Sequence, residues 1–156
     1  LADYLLIFKK PGDNAVKIPH EVSTGEVTND DWIEWASPIW YDQGDGGDVG
    51  GEHLGPVWTT IRETNTLNER VARESDDERH LCPLQLDFIE RCIRLWSNPG
   101  ETILTPFAGI GSEVYVARKL GRRGVGIELK ASYWRTAVDN LQTLDADMQQ
   151  DTLFGP

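Results

Sequence analysis

Phe107-Ala108-Gly109-Ile110-Gly111-Ser112, answered one strand later by Glu128, is the stretch that decides the fold. It follows a short apolar segment, Thr102-Ile103-Leu104-Thr105-Pro106-Phe107, that reads as a strand. Ala108-Gly109-Ile110-Gly111 reads as a tight turn. Ser112 reads as the cap of a helix through Leu120, which Gly121 ends. Gly124-Val125-Gly126-Ile127-Glu128 reads as a second strand, and residues 131–144 as a further helix with Ser132 near its start. Two glycines let the backbone turn sharply and approach a ligand closely. The helix N-terminus behind them presents free N–H groups to a carboxylate or phosphate. An acid ending the next strand can accept both hydrogen bonds of a ribose diol. Gly-x-Gly by itself is a weak signal. Its place after a strand, before a helix and upstream of that acid predicts a nucleotide-type cofactor at the carboxyl end of the first strand.

Working outward, Pro83 stands at a favoured first helical position. Leu84, Phe88, Cys92 and Leu95 then recur at helical spacing, widened by Ile89, Ile93 and Trp96, until Asn98-Pro99-Gly100 stops the run. Helix, strand, glycine turn, helix, strand, helix is half of a doubly wound α/β domain. A dinucleotide fingerprint needs a third glycine where this chain has Val114, and no Gly-x-x-x-x-Gly-Lys phosphate loop occurs. A pyrophosphate fit and nucleoside triphosphate hydrolysis are therefore disfavoured.

The front half is less patterned. Tyr4-Leu5-Leu6-Ile7-Phe8, ended by Lys9-Lys10-Pro11-Gly12, reads as a buried strand and a turn. Residues 12–60 have weak periodicity, four tryptophans (Trp32, Trp35, Trp40, Trp58) and a flexible Gly/Asp-rich loop from Gln43 to Gly51. That loop lacks the carboxylate alternation and closing Glu of a calcium site, and no metal site is assigned. Packing is the favoured reading of the tryptophans, with base stacking as the other. Residues 61–79 contain a short helix. His20 and His53 have no partner pattern and are assigned nothing.

The 156 residues suffice for one domain with a core, and 39% hydrophobic with 26% charged residues is ordinary globular composition. No apolar run approaches the ~20 residues that span a bilayer. No basic stretch precedes the first apolar run as in a secretory signal. Cys82 and Cys92, without metal-ligand spacing, suggest reduced thiols in a cytosolic protein. The only methionine is Met148, so the reading is of a fragment, a processed product or a chain trimmed at its front. The net charge of −11 runs against a general nucleic-acid-binding surface. The basic residues do group, as Arg118, Lys119, Arg122, Arg123 and Lys130, and more loosely as Arg62, Arg70, Arg73 and Arg79. Taken singly, each reads first as solvated surface.

Phe-x-Gly-x-Gly-Ser after an apolar strand, then Gly126-Ile127-Glu128-Leu129-Lys130, is similar to the two cofactor motifs of DNA amino-methyltransferases, which methylate N6 of adenine or N4 of cytosine. His80-Leu81-Cys82-Pro83-Leu84-Gln85 resembles the His/Pro motif preceding the cofactor strand in the circularly permuted (beta-type) members. Trp96-Ser97-Asn98-Pro99-Gly100-Glu101 matches the usual linker between them. The resemblance is specific over residues 80–141 and looser over 1–79. It implies an α/β, Rossmann-like S-adenosylmethionine-dependent methyltransferase fold with an incomplete sheet and a loop-rich insert. Residues 1–11 would hold the last strand of the catalytic region, 12–79 the target-recognition region, 80–145 the cofactor region and 146–156 a C-terminal tail.

The resemblance also implies roles. Phe107, Ala108, Gly109 and Gly111 would line the methionine part of S-adenosylmethionine, with Ser112 beside its carboxylate. Glu128 would hold the ribose hydroxyls and Leu129 would lie against the adenine. Cys82, Pro83 and Gln85 would close the methionine end. Thr105 stands where many members have Asp; it can still hydrogen-bond the cofactor's amino group but supplies no charge. Double-stranded DNA is the implied partner, in a bacterial or phage-encoded cytoplasmic protein.

The family holds the flipped base's amine with a tetrapeptide of the type Asp/Asn/Ser-Pro-Pro-Tyr/Phe/Trp. No Pro-Pro occurs in this chain. Ser37-Pro38-Ile39-Trp40 imitates it but falls after the Tyr4–Phe8 segment, where the permuted order does not place it. No catalytic residue is therefore assigned. The tetrapeptide is expected in a missing N-terminal half or on a partner chain. The chain alone is expected to bind S-adenosylmethionine weakly or not at all and to transfer no methyl group. Gln150-Asp151-Thr152-Leu153-Phe154 resembles the peptide with which bacterial replication proteins dock on the sliding clamp. Two other readings stand: a methyltransferase acting on RNA or a small molecule, and a non-catalytic module that binds cofactor, DNA or clamp.

Overall fold

The computed structural model describes residues 7–8, 10–13, 16, 26–36, 61–67 and 84–153. Their elements are α1 (Asn29–Ala36), α2 (Leu86–Trp96), β1 (Thr102–Thr105), α3 (Ser112–Lys119), β2 (Arg123–Gly126) and α4 (Ala131–Leu153). β1 and β2 pair in parallel, Thr102 opposite Arg123 through Thr105 opposite Gly126, with α3 as the crossover. This is the predicted α/β arrangement, and among the described residues the sheet has two strands.

α2 begins three residues later than Pro83. Gln85 is its N-cap and Leu84 lies outside it, exposed. Ile89 and Ile93 bury one stripe of α2 against Val116 and Ala117 of α3, and Leu86, Phe88, Ile103, Tyr115 and Leu120 pack around this cluster. Leu95 is buried as expected, but Trp96 is exposed. Cys92 is largely buried in α2, and burial pushes its thiol up to about 12. That leaves it protonated and unreactive at neutral pH.

The stop after α2 is a built turn. Ser97 N–H and Oγ both donate to Ile93 O (3.0 and 2.6 Å). Gly100 adopts φ +82°, and the Glu101 N–H reaches Asn98 O at 3.1 Å, as in a Pro-Gly turn with its third residue left-handed. The Glu101 carboxylate closes the turn by accepting from Asn98 N (2.8 Å) and Nδ2 (3.1 Å). These bonds hold the Glu101 carboxyl below the usual glutamate range.

The strands are shorter than predicted: Pro106 and Phe107 lie beyond β1, and β2 runs from Arg123 to Gly126. Backbone pairing nevertheless continues past both ends, through Ile127 N to Thr105 O (3.0 Å) and Ala108 N to Ile127 O (2.9 Å). Gly111, at φ +90°, is the N-cap of α3 in place of Ser112, which is the first helical residue and buried. Gly124 explains why Val114 is tolerated where a dinucleotide fold needs glycine. A Cβ on Gly124 would lie 2.5 Å from Val114 Cγ1 and 3.0 Å from its Cα. Here the strand gives up its side chain and the helix keeps its own, so α3 still lies flush on β2.

Two elements depart further from expectation. The weak periodicity of residues 12–60 does not predict α1. Its start is a capping box: Asp31 N–H donates to Thr28 Oγ1 (3.0 Å) while Thr28 N–H donates to Asp31 Oδ2 (3.0 Å). Trp35 docks it on α2 under the Arg91 guanidinium, 5.2 Å from the ring centre. α4 runs nine residues past the predicted end, through most of the expected tail, because neither Gly nor Pro interrupts residues 131–153.

Of the predicted strand 4–8, only Ile7 and Phe8 are described. Neither is in a strand and both are exposed, so a buried strand does not hold at this end. Residues 61–67 form a turn rather than a helix, and the rest of 61–79 lies outside the described residues, as do Trp40, Trp58, the Gly/Asp-rich loop and Ser37–Trp40. Among the described residues no helix is long and apolar enough to cross a membrane. No three His, Cys, Asp or Glu side chains among them are grouped to hold a metal ion.

Candidate cofactor site at the glycine elbow

The chain leaves β1 at Thr105, whose residue is buried, and turns through Ala108–Gly111 into α3. Gly111 N–H closes the turn on Ala108 O at 2.7 Å, with Gly109 at φ +53°. The two glycines differ in what surrounds them. A Cβ on Gly111 would lie 2.9 Å from Ala137 Cβ of α4, so that glycine is required by packing as well as by φ. A Cβ on Gly109 would meet nothing within 4 Å; the elbow is open there.

Glu128 faces this open elbow. Its Oε2 accepts from Gly109 N–H at 2.8 Å and its Oε1 from Lys130 N–H at 2.8 Å. Each carboxylate oxygen keeps room for a further donor. From the other side, Asn140 Nδ2 of α4 donates to Ile110 O at 3.0 Å. The elbow is thus fixed by β2, α4 and its own turn before any ligand arrives. Beside it, Phe107 (86% exposed) and Leu129 (98% exposed) present apolar surface to solvent, with Ile127 also exposed. In the first turn of α3, burial pushes the Glu113 carboxyl up, against its own backbone N–H, which lowers it.

The structure therefore brings together Thr105, Phe107, Ala108, Gly109, Gly111, Ser112, Glu128 and Leu129 at the carboxyl edge of the sheet. Gln85 is the N-cap residue of α2. Cys82, Pro83 and His80 lie outside the described residues. Asn140 and Ala137 carry no sequence signal of their own. Both are polar or small positions on a helix whose buried face is known only once α4 is placed, and nothing in the spacing marked them.

The basic cluster expected at the surface divides. Arg118 pairs with Asp145 of α4 at 2.8 Å, tying α3 to α4. Lys130 lies over the Tyr133 ring at 4.4 Å. Arg122 is 0% exposed, its guanidinium bonded to Glu26, Ser97 and Leu120.

A parallel βαβ unit whose glycine elbow is bonded to an acid past the second strand defines a Rossmann-like α/β protein. The family model described as DNA methylase, of the N6/N4 class, matches residues 1–139, and the chain belongs to that family. It is 36% identical over 83 residues to the type II methyltransferase M1.MboII of Moraxella bovis, covering 53% of this chain and 31% of that protein. It is 41% identical over 94 residues to the type II methyltransferase M.ScaI of Streptomyces caespitosus, covering 59% of this chain and 29% of that one. The chain thus spans under a third of the length of these curated relatives. The crystal structure of a Thermus thermophilus protein assigned as a DNA modification methylase, complexed with S-adenosyl-L-methionine, is similar over 87% of this chain and 42% of that one. Its TM-score is 0.53 at 23% identity, a likeness of fold.

Proposed function

We propose that this chain forms the cofactor-holding part of a DNA amino-methyltransferase that acts on N6 of adenine or N4 of cytosine. The observation that carries it is the Glu128 carboxylate seated on Gly109 N–H at 2.8 Å, inside the family match. The residues fit S-adenosylmethionine. The space beside Gly109 is open, and the remaining lone pairs of Glu128 suit the ribose diol. The N–H group of Ser112, in the first turn of α3, suits the ligand's carboxylate. Leu129 and Phe107 offer bare apolar surface to the adenine and the methionine chain. When bound, the group supplies an electrophilic methyl on its sulfonium; this chain's residues bind and orient it.

The sequence contains no Pro-Pro. The tetrapeptide that grips the target amine is therefore supplied by another segment or a partner chain, in the permuted order, with residues 12–79 reading the DNA. The 156-residue chain incubated with labelled S-adenosylmethionine is expected to leave double-stranded DNA at background label. Adding a segment that carries the tetrapeptide restores transfer. Robust DNA methylation by the chain alone overturns this reading, and transfer to RNA but not DNA moves the substrate to the other class.

We propose a second partner as well: Gln150 is exposed and Leu153 ends α4, and the Gln-x-x-Leu-Phe sequence of residues 150–154 suits the groove of a sliding clamp. In a pull-down with sliding clamp, the Leu153→Ala/Phe154→Ala double variant is expected to lose at least about 10-fold retention. Equal retention ends the idea.

A further inference from the structure

Asp87, in the first turn of α2, carries more bonds than a surface carboxylate needs. Its Oδ2 accepts from Arg62 N (3.1 Å) and Nε (2.9 Å), and its Oδ1 from Arg62 Nη2 (2.8 Å) and Asn65 Nδ2 (2.7 Å). The strap 61–67 answers with its backbone: Asn65 O takes the N–H of Leu86 at 2.8 Å. A second turn bond, Asn65 N–H to Arg62 O at 3.1 Å, holds the two strap residues in register. Gln85, the N-cap, makes no side-chain cap bond. The strap therefore takes one of the free N–H groups at the start of α2, and the Gln85 amide is not used as a cap.

The place of this latch gives it meaning. Ser97, just past the carboxyl end of α2, accepts from Arg122, just past the carboxyl end of α3, and α2 packs along α3 through Ile89 and Ile93, so α2 runs alongside α3, the return crossover between the parallel strands. The amino end of α2 thus points toward the end of α3 that follows the elbow. Leu86 and Phe88, on either side of Asp87, pack on the cluster that also receives Tyr115 from the first turn of α3.

We propose that Arg62, Asn65 and Asp87 are positioning residues for the cofactor: the latch sets Gln85 at the elbow, and couples residues 61–67 to cofactor affinity. This rests on the cofactor reading above. The Arg62 fork matters because one carboxylate takes two of its three side-chain nitrogens and its backbone N–H, a geometry that a lysine ammonium cannot reproduce.

The test has two arms on the full chain. In the first, S-adenosylmethionine is titrated into wild type, Gln85→Ala, Asp87→Asn and the double variant, following backbone amide NMR shifts. Asp87→Asn is expected to raise Kd about 10-fold, Gln85→Ala to a similar degree, and the double variant no further than either. Arg62→Lys behaves as Asp87→Asn despite keeping its charge. A role in folding alone lowers thermal stability in all variants but leaves their Kd unchanged, or makes the two effects fully additive; either result overturns the proposal. In the second arm, hydrogen exchange is read at the amides of Leu86 to Ile89 without ligand. Asp87→Asn is expected to speed it at least about 10-fold, and unchanged exchange overturns the latch. A wild type that shows no shifts at millimolar ligand while the exchange arm behaves as expected dismisses the cofactor reading and not the latch geometry.

Discussion

Replacing Glu128 by alanine is expected to weaken S-adenosylmethionine binding by about 100-fold. Two hydrogen bonds from ribose hydroxyls to a charged acceptor are each worth roughly 1.5–3 kcal/mol, and about 3 kcal/mol of total loss corresponds to two orders of magnitude in Kd. The substitution also removes the acceptor of the Gly109 N–H and so loosens the elbow that the ligand must find ready-made. NMR titration reports this even where binding is weak. In wild type the Gly109 and Gly111 amides shift and begin to saturate, and in Glu128→Ala they do not. Glu128→Gln keeps an acceptor but loses the charge, and falls between, at about 10-fold. A ligand without ribose hydroxyls separates the two contributions. It loses affinity relative to the parent in wild type and not in Glu128→Ala. Shifts of equal size and midpoint in wild type and Glu128→Ala sink the assignment of this carboxylate.

The elbow was legible in the sequence because its parts are local. Glycines at 109 and 111, a strand before them and a helix after them are dictated by φ and by period, and Glu128 is placed by the length of one crossover. The boundaries that slipped did so for reasons the sequence does not carry. Pro83 has the chemistry of a first helical residue, but the first helical N–H to find a strap partner is that of Leu86, on Asn65 O, and that partner lies about twenty positions upstream. Ser112 has the chemistry of an N-cap, yet a left-handed Gly111 takes the position because Ala137 leaves room for nothing larger. α1 carried its own signal, the Thr28-x-x-Asp31 box, which the tryptophans around it obscured. Arg122 shows the limit most plainly. Composition assigns an arginine to the surface, and only the fold shows a carboxylate from residue 26 waiting for it.

That carboxylate supports the second large expectation: Glu26→Ala should destabilise the chain by about 3–5 kcal/mol. The Arg122 guanidinium is completely buried, held by Glu26 through Nη1–Oε1 (2.6 Å) and Nη2–Oε2 (2.8 Å), by Ser97 O and Leu120 O, and at 3.2 Å by Ser97 Oγ. Carbonyls satisfy its N–H groups but do not neutralise it, so without Glu26 a full charge stays buried with no counter-ion, which is the costly way to break such a pair. Arg94 adds a second cation 3.8 Å from the same carboxylate, so the loss falls on two guanidinium groups. For a chain of this length such a loss lowers Tm by on the order of 10 °C. Glu90→Gln serves as control. It removes only the i, i+4 partner of Arg94, a pair about one-quarter to one-third exposed, and should cost less than about 1 kcal/mol. The pH dependence has a definite sign. Hydrogen bonding to Arg122 first, and the charges of Arg122 and Arg94 after it, hold the Glu26 carboxyl below its ordinary 4.5, against the opposing effect of burial. Its stabilisation is then fully present above pH 4.5 and drains away as pH falls from there through the lower folded-state value. Glu26→Ala should accordingly sit below wild type by a constant amount at neutral pH and converge on it in acid. Melting curves that coincide at neutral pH, or a gap that widens on acidification, contradict a stabilising role for the Glu26–Arg122 pair.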